Sequence, residues 1–133
     1  RQPLFQNKEN INIVKDAMFS SSNEPGGTSY RHRIENPKFT FAGKTGSSQI
    51  KRFTEAQREA EVKQVDLDYK DRDHALFVAF APYKNPQYAI SVVVEHGGSG
   101  GKAAAPIAQK VIKKVIERDS LRQEVNYSTG ETI

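Results

Sequence analysis

Two β-prone runs, Ala75-Leu76-Phe77-Val78-Ala79-Phe80-Ala81 and Tyr88-Ala89-Ile90-Ser91-Val92-Val93-Val94, constrain this chain more than any other feature of it. β-Branched and aromatic side chains fit a pleated, half-buried surface. Tyr83-Lys84-Asn85-Pro86 lies between the runs and supplies turn-forming residues. The pattern predicts an antiparallel hairpin. Its near-continuous apolarity further predicts that both faces are largely covered, because a strand with one wet face alternates instead.

A cover for one face follows in the sequence. The glycine-rich connector His96-Gly97-Gly98-Ser99-Gly100-Gly101 leads into a helix predicted from about Ala103 to Arg118. Pro106 suits its first turn, where a missing N–H removes no intrahelical bond. Ile107, Val111 and Val115, with Ala108, Ile112 and Ile116, form an apolar stripe, while Lys110, Lys113, Lys114 and Glu117 face away. Beyond Asp119 the chain is polar and reads as a loose tail over 119–133.

Upstream, Ile11, Val14, Ala17 and Met18 recur at helical spacing between Glu9 and Phe19. The turn-forming stretch Ser20 to Gly27 is expected to end that helix. Lys38 to Lys44 reads as a strand with Phe39 and Phe41 on one side, running into Lys44-Thr45-Gly46. Residues 51–73 are highly charged and read as a surface excursion, with Thr54-Glu55-Ala56-Gln57 resembling a capped helix start. The fold class implied is α+β: an antiparallel sheet of about three strands, packed by a C-terminal helix and a short N-terminal helix.

Composition excludes several functions. The net charge is +4, yet Lys and Arg are interleaved with Asp and Glu, and no aromatic–basic repeat appears. A nucleic-acid surface needs basic residues clustered on one face, so no nucleic-acid partner is expected. There is no cysteine for a disulfide or thiolate site. No run of about 18 apolar residues offers a membrane span. His32, His74 and His96 lack metal-ligand spacing, so no metal and no cofactor are expected. His74 and His96 flank the ends of the hairpin strands, close enough in the pattern to approach each other at one end of the sheet, and a structural role is expected of them rather than a catalytic one.

The chemistry concentrates at Lys44-Thr45-Gly46-Ser47. Alone the tripeptide means little, and Lys44 is equally readable as an exposed strand-end lysine. Its setting gives it weight. Lys-Thr-Gly is the third element of a series whose earlier members are Ser-x-x-Lys and Ser-x-Asn. Ala42-Gly43-Lys44-Thr45-Gly46-Ser47-Ser48-Gln49, Asp73 to Pro82, and Glu95-His96-Gly97-Gly98 with the alanine-rich helix start together resemble class B penicillin-binding proteins, within them the elongation transpeptidases of rod-shaped Gram-negative bacteria. The resemblance runs from about Ile11 to Arg118. It implies the penicillin-binding and serine β-lactamase-like fold, with 1–118 as the C-terminal portion of a transpeptidase domain.

The resemblance also implies roles. Lys44 would place a fixed positive charge beside the reacting groups, supporting proton transfer. Thr45 and Ser47 would bind the carboxylate of a stem peptide or β-lactam. Gly46 would let the ligand lie against the strand as an added edge. The Ser47 N–H would be one oxyanion donor, making Lys44 and Ser47 the catalytic contributors. The whole protein would be a D,D-transpeptidase at the periplasmic side of the bacterial inner membrane, with its anchor outside this chain. Its partners would be peptidoglycan stem peptides, β-lactams and the remainder of the domain.

Three motif-like matches are set aside. Ser99-Gly100-Gly101-Lys102 and Ser48-Gln49-Ile50-Lys51 follow Lys44, against the family's order. Ser21-Ser22-Asn23 sits in the turn expected after the first helix, close to the family's Gly-Thr segment at Gly27-Thr28. The nucleophile and the middle motif are therefore expected upstream of Arg1, in a longer protein from which this chain, beginning Arg1-Gln2-Pro3, reads as cut. Two rival readings stay open: a fragment of a serine β-lactamase, and a non-catalytic sheet-and-helix module. With three of the family's five strands, the chain would leave Gln87–Glu95 as an unprotected edge, open to homodimer formation.

Overall fold

The structure, a computed structural model, describes residues 7–52, 54–55 and 63–129, with only the backbone of 123–129. In chain order the main elements are α1 (Lys8–Asn23), β1 (Ala42–Ser48), β2 (His74–Ala81), β3 (Tyr88–Val94) and α2 (Ala105–Thr129). The hairpin forms where its sequence places it, with Ala75 opposite Val94 and Ala81 opposite Tyr88. β1 joins the other side of β2 antiparallel, Ala42 opposite Phe80 and Ser48 opposite His74, giving the order β1-β2-β3.

Strand alternation then assigns the faces. Ala75, Phe77, Ala79 and Ala81 of β2 point inward and are buried, flanked by the half-buried Tyr88, Ile90, Val92 and Val94 of β3. α2 lies on this face through Ala105, Ala108, Ile112 and Ile116. The alanines keep the start of the helix close to the sheet, and the isoleucines fill the wider space beyond. Phe41 and Phe77 are both fully buried and meet edge to face at 6.1 Å. The ring of Phe77 lies over Gly43, where an added Cβ would stand 2.4 Å from Phe77 Cζ.

Among the described residues only one face is fully covered, contrary to the reading from apolarity. Val78 and Val93 on the opposite face remain 46 % and 58 % exposed. The apolar run reflects a surface that the described residues do not cover. The stripe on α2 is likewise narrower than expected, with Ile107 and Val111 nearly half exposed, because the sheet offers partners along the Ala108–Ile112–Ile116 line alone.

Both helices outrun their sequence boundaries. α2 continues through Thr129, since no Gly or Pro interrupts it before Gly130 and Ser120 Oγ donates to the Ile116 carbonyl at 3.0 Å. α1 begins on Asn7, whose side chain accepts from the Glu9 N–H at 2.8 Å. It passes through the serines to Asn23 because their side chains have partners elsewhere. Ser22 Oγ donates to Gly43 O at 3.2 Å and accepts from Gly43 N at 3.0 Å. Asn23 Nδ2 donates to Phe41 O at 2.8 Å. Residues that favour turns locally are thus held helical by tertiary bonds.

The strand expected over Lys38–Lys44 starts only at Ala42. Asn36 diverts the preceding segment into a turn, its side chain accepting from Lys38 N and its carbonyl from Phe39 N. The helix expected from Thr54 runs into residues 56–62, outside the described set. Around the charged stretch, Lys51 Nζ donates to Asp71 Oδ2 at 2.6 Å. That bond holds the Lys51 pKa above and the Asp71 pKa below their ordinary values.

Two outcomes follow from these bonds. Ser22→Ala removes the partner of both Gly43 backbone groups in a buried site, so urea unfolding should show a loss of about 1–3 kcal/mol. Tyr83 O–H donates to Asp16 Oδ1 at 2.6 Å, and this bond raises the Tyr83 pKa above 10.0. The bond's contribution is complete below the ordinary tyrosine range and disappears as pH rises through the raised value. Ultraviolet titration should find Tyr83 ionising above 10.0, and Asp16→Ala should return it towards that value.

Candidate functional site

β1 carries the Lys-Thr-Gly sequence in its middle, and its outer edge is treated differently at its two ends. At Gly43 both backbone groups are occupied by Ser22 of α1. Backbone groups of an antiparallel strand alternate in direction. The N–H and C=O of Thr45 and Ser47 therefore point to the same outer side as those of Gly43, away from β2. Lys44 Nζ folds over this stretch and donates to the Thr45 carbonyl at 2.9 Å. The edge is capped at Gly43 by Ser22 and at the Thr45 carbonyl by Lys44, while the Thr45 N–H and both Ser47 backbone groups point outward.

A glycine turn makes the second wall. Ser99 accepts backbone bonds from Lys102 N and Ala103 N, starting a π-helical turn over Gly100–Ala104 that leads into α2. The turn rests directly on the sheet backbone, where a Cβ at Gly100 would stand 2.3 Å from Leu76 O and 2.7 Å from Gly46 O. Glycine is required at that close approach.

The third wall is the segment after α1. Ser29 N donates to Ser21 O and Ser22 Oγ meets Ser29 Oγ at 3.0 Å, which pins residues 28 and 29 against the end of the helix. Thr45 Oγ1 donates to Thr28 Oγ1 at 2.9 Å. Thr28, Lys44, Thr45, Ser47, Ser99 and Gly100 then line an open cleft of about 490 Å³. One cation, several hydroxyls and an open strand edge converge there, an arrangement suited to an extended chain carrying a carboxylate.

All four candidate residues, Lys44, Thr45, Gly46 and Ser47, border this cleft. A Cβ on Gly46 would meet only Leu76 Cβ, at an ordinary 3.4 Å, so packing among the described residues does not demand a glycine there. Of the motif-like matches, Ser48 ends β1 and Lys51 is turned to Asp71, so that pair does not act together. Ser21-Ser22-Asn23 is not a turn but the end of α1, with Ser22 and Asn23 binding the backbone before and at β1. Ser99 borders the Lys44 cleft and also a neighbouring cleft that it shares with Lys102, Lys63 and Arg72.

Reading the sequence does not bring Thr28, Ser99 and Gly100 to Lys44. The available hint is that a Gly-Thr pair and a Ser-Gly-Gly run both fall at breaks between elements. His74 and His96 do meet, with rings 4.9 Å apart and the His96 N–H donating to His74 Nδ1 at 3.0 Å. His96 Nδ1 faces Arg72 O at 3.1 Å, which makes the pair a clasp at the sheet end. Among the described residues no group of three or more His, Asp or Glu is placed to hold a metal ion.

The family model described as penicillin binding protein transpeptidase domain matches residues 5–113. A peptidoglycan D,D-transpeptidase MrdA of Salmonella typhimurium is 39 % identical over 105 residues, which is 79 % of this chain and 16 % of that protein. Among solved structures, a complex between PBP2 and MreC from Helicobacter pylori matches with TM-score 0.65 and 31 % identity, over 82 % of this chain and 17 % of that one. Pseudomonas aeruginosa PBP2 in complex with WCK 5153 matches with TM-score 0.60 and 31 % identity, over 83 % and 20 %. The chain thus spans about a sixth of the length of the curated relative.

Proposed function

Because the chain belongs to the penicillin-binding protein transpeptidase family, we propose that it serves as the Lys-Thr-Gly wall of a peptidoglycan D,D-transpeptidase. The observation that carries this reading is the β1 edge, closed at Gly43 by Ser22 and presenting the Thr45 N–H and the Ser47 backbone groups beside the Lys44 ammonium, which is held on the Thr45 carbonyl. An extended stem peptide or a β-lactam lies along that edge as an added strand. Gly46, which internal packing does not require, leaves room for it.

The reaction runs through an acyl-serine whose nucleophile lies outside this chain. Splitting one acyl transfer into two steps gives two tetrahedral anions, each needing preorganised donors. The Ser47 N–H supplies one of them. Lys44 supplies a fixed cation, and the Thr45 and Ser47 hydroxyls hold the ligand carboxylate. Residues 1–118 are assigned to the domain portion, with 51–73 as its charged excursion, and 119–133 are the polar C-terminal segment. The whole protein works on the periplasmic side of the inner membrane.

Intact-mass spectrometry after incubation with a penicillin tests the assignment. The 133-residue chain alone should form no covalent adduct, whereas the full-length protein should be acylated. Lys44→Ala in the full-length protein should slow acylation on the order of 100-fold. A stoichiometric adduct on Ser99, Ser48 or Ser21 of the isolated chain would overturn the assignment.

A second, non-catalytic reading rests on the outer edge of β3, which has no strand partner among the described residues and carries the exposed Val93. An unpaired apolar edge is a template for another chain. The isolated chain should dimerise through it, and light scattering that finds monomer at all concentrations would reject this.

A further inference from the structure

The Thr45 hydroxyl is not free to meet a ligand on its own terms. It donates to Thr28 Oγ1 at 2.9 Å, and Thr28 Oγ1 in turn lies 3.2 Å from Ser21 Oγ. Three hydroxyls from three separate segments form one chain, and its far end rests on α1. A hydroxyl has one proton and accepts through its lone pairs, whereas a carboxylate only accepts. In this structure the single proton of Thr45 is directed to Thr28.

From this we infer that Thr28 is a positioning residue for the ligand carboxylate, acting through Thr45 as the middle of a reversible hydroxyl relay. When a carboxylate arrives, Thr45 turns its proton to the anion. Thr28 then rotates its own proton towards Thr45 Oγ1, and Ser21 donates to Thr28. The Thr45–Thr28 bond survives with its direction reversed, the Thr28–Ser21 contact keeps a donor, and no covalent bond changes. Thr45 gains a donor behind it while it donates forward, which strengthens the bond to the anion.

Thr28 is well placed for this. The Ser29 N–H and Ser29 Oγ both donate to Ser21 O, fixing residue 28 against the helix end. On the other side its carbonyl abuts Gly101, where an added Cβ would come within 2.5 Å of it. The relay is held between α1 and the glycine turn that forms the opposite wall of the cleft. This inference rests on the reading that Thr45 meets the carboxylate, and the test separates the two.

The experiment measures second-order acylation rates of the full-length protein with a penicillin and with its methyl ester. Variants are Thr28→Val, Thr28→Ser, Thr45→Val and the double valine. Thermal unfolding of each checks that the fold is kept. Thr28→Val should slow acylation by the acid about tenfold, Thr28→Ser should stay within about twofold, and the effect should vanish with the ester. In the Thr45→Val background, Thr28→Val should add nothing further. Equal slowing of acid and ester, or additivity of the two valines, would reduce Thr28 to a structural residue and overturn the relay. A Thr45→Val effect with no Thr28→Val effect would overturn the relay alone. No effect of Thr45→Val would remove the carboxylate reading beneath it, and the relay with it.

Discussion

One serine hydroxyl organises this structure. Ser22 Oγ binds both backbone groups of Gly43 and lies 3.0 Å from a second hydroxyl, that of Ser29, in a fully buried position. Through the first two contacts the end of α1 replaces a neighbouring strand at the start of β1. Through the third it anchors the segment that carries Thr28. Where α1 ends, the replacement ends too, so the edge from the Thr45 N–H to Ser47 opens immediately beside a helix terminus and a lysine held on the Thr45 carbonyl. The cleft is a consequence of where that capping stops.

The opposite wall follows from packing of another kind. Gly100 lies against carbonyls of β1 and β2 too closely for any side chain. The turn that begins there launches α2 across the inner face, and α2 in turn buries Phe77 and the alanines of β2. Phe77 lies over Gly43, the residue that Ser22 holds. Core and site are therefore joined through Gly43 and Phe77.

Much of this was legible in the sequence because it is set by local chemistry. The hairpin from Ala75 to Val94 appeared within a residue of its reading, since β-branched runs and a turn decide it. The clustering of Lys44, Thr45, Gly46 and Ser47 was visible from the motif and its flanks. What stayed hidden depends on long-range partners. Ser20 to Asn23 look like a helix stop until Gly43 and Phe41 supply carbonyls for Ser22 and Asn23. Apolarity on Val78 and Val93 signals a covered face, but the cover is not among the described residues. Thr28 and Ser99 are remote from Lys44 along the chain, and nothing in their own neighbourhoods announces that they line its cleft.

The most direct test of the open-edge reading is residue-resolved amide hydrogen exchange on the full-length protein, before and after acylation by a penicillin. Exchange at the Ser47 N–H should slow markedly as it takes up the acyl oxygen, while the Gly43 N–H, already bound to Ser22, should exchange slowly in both states. Fast exchange at Ser47 that acylation leaves unchanged would contradict the assignment of this edge as the ligand-reading wall.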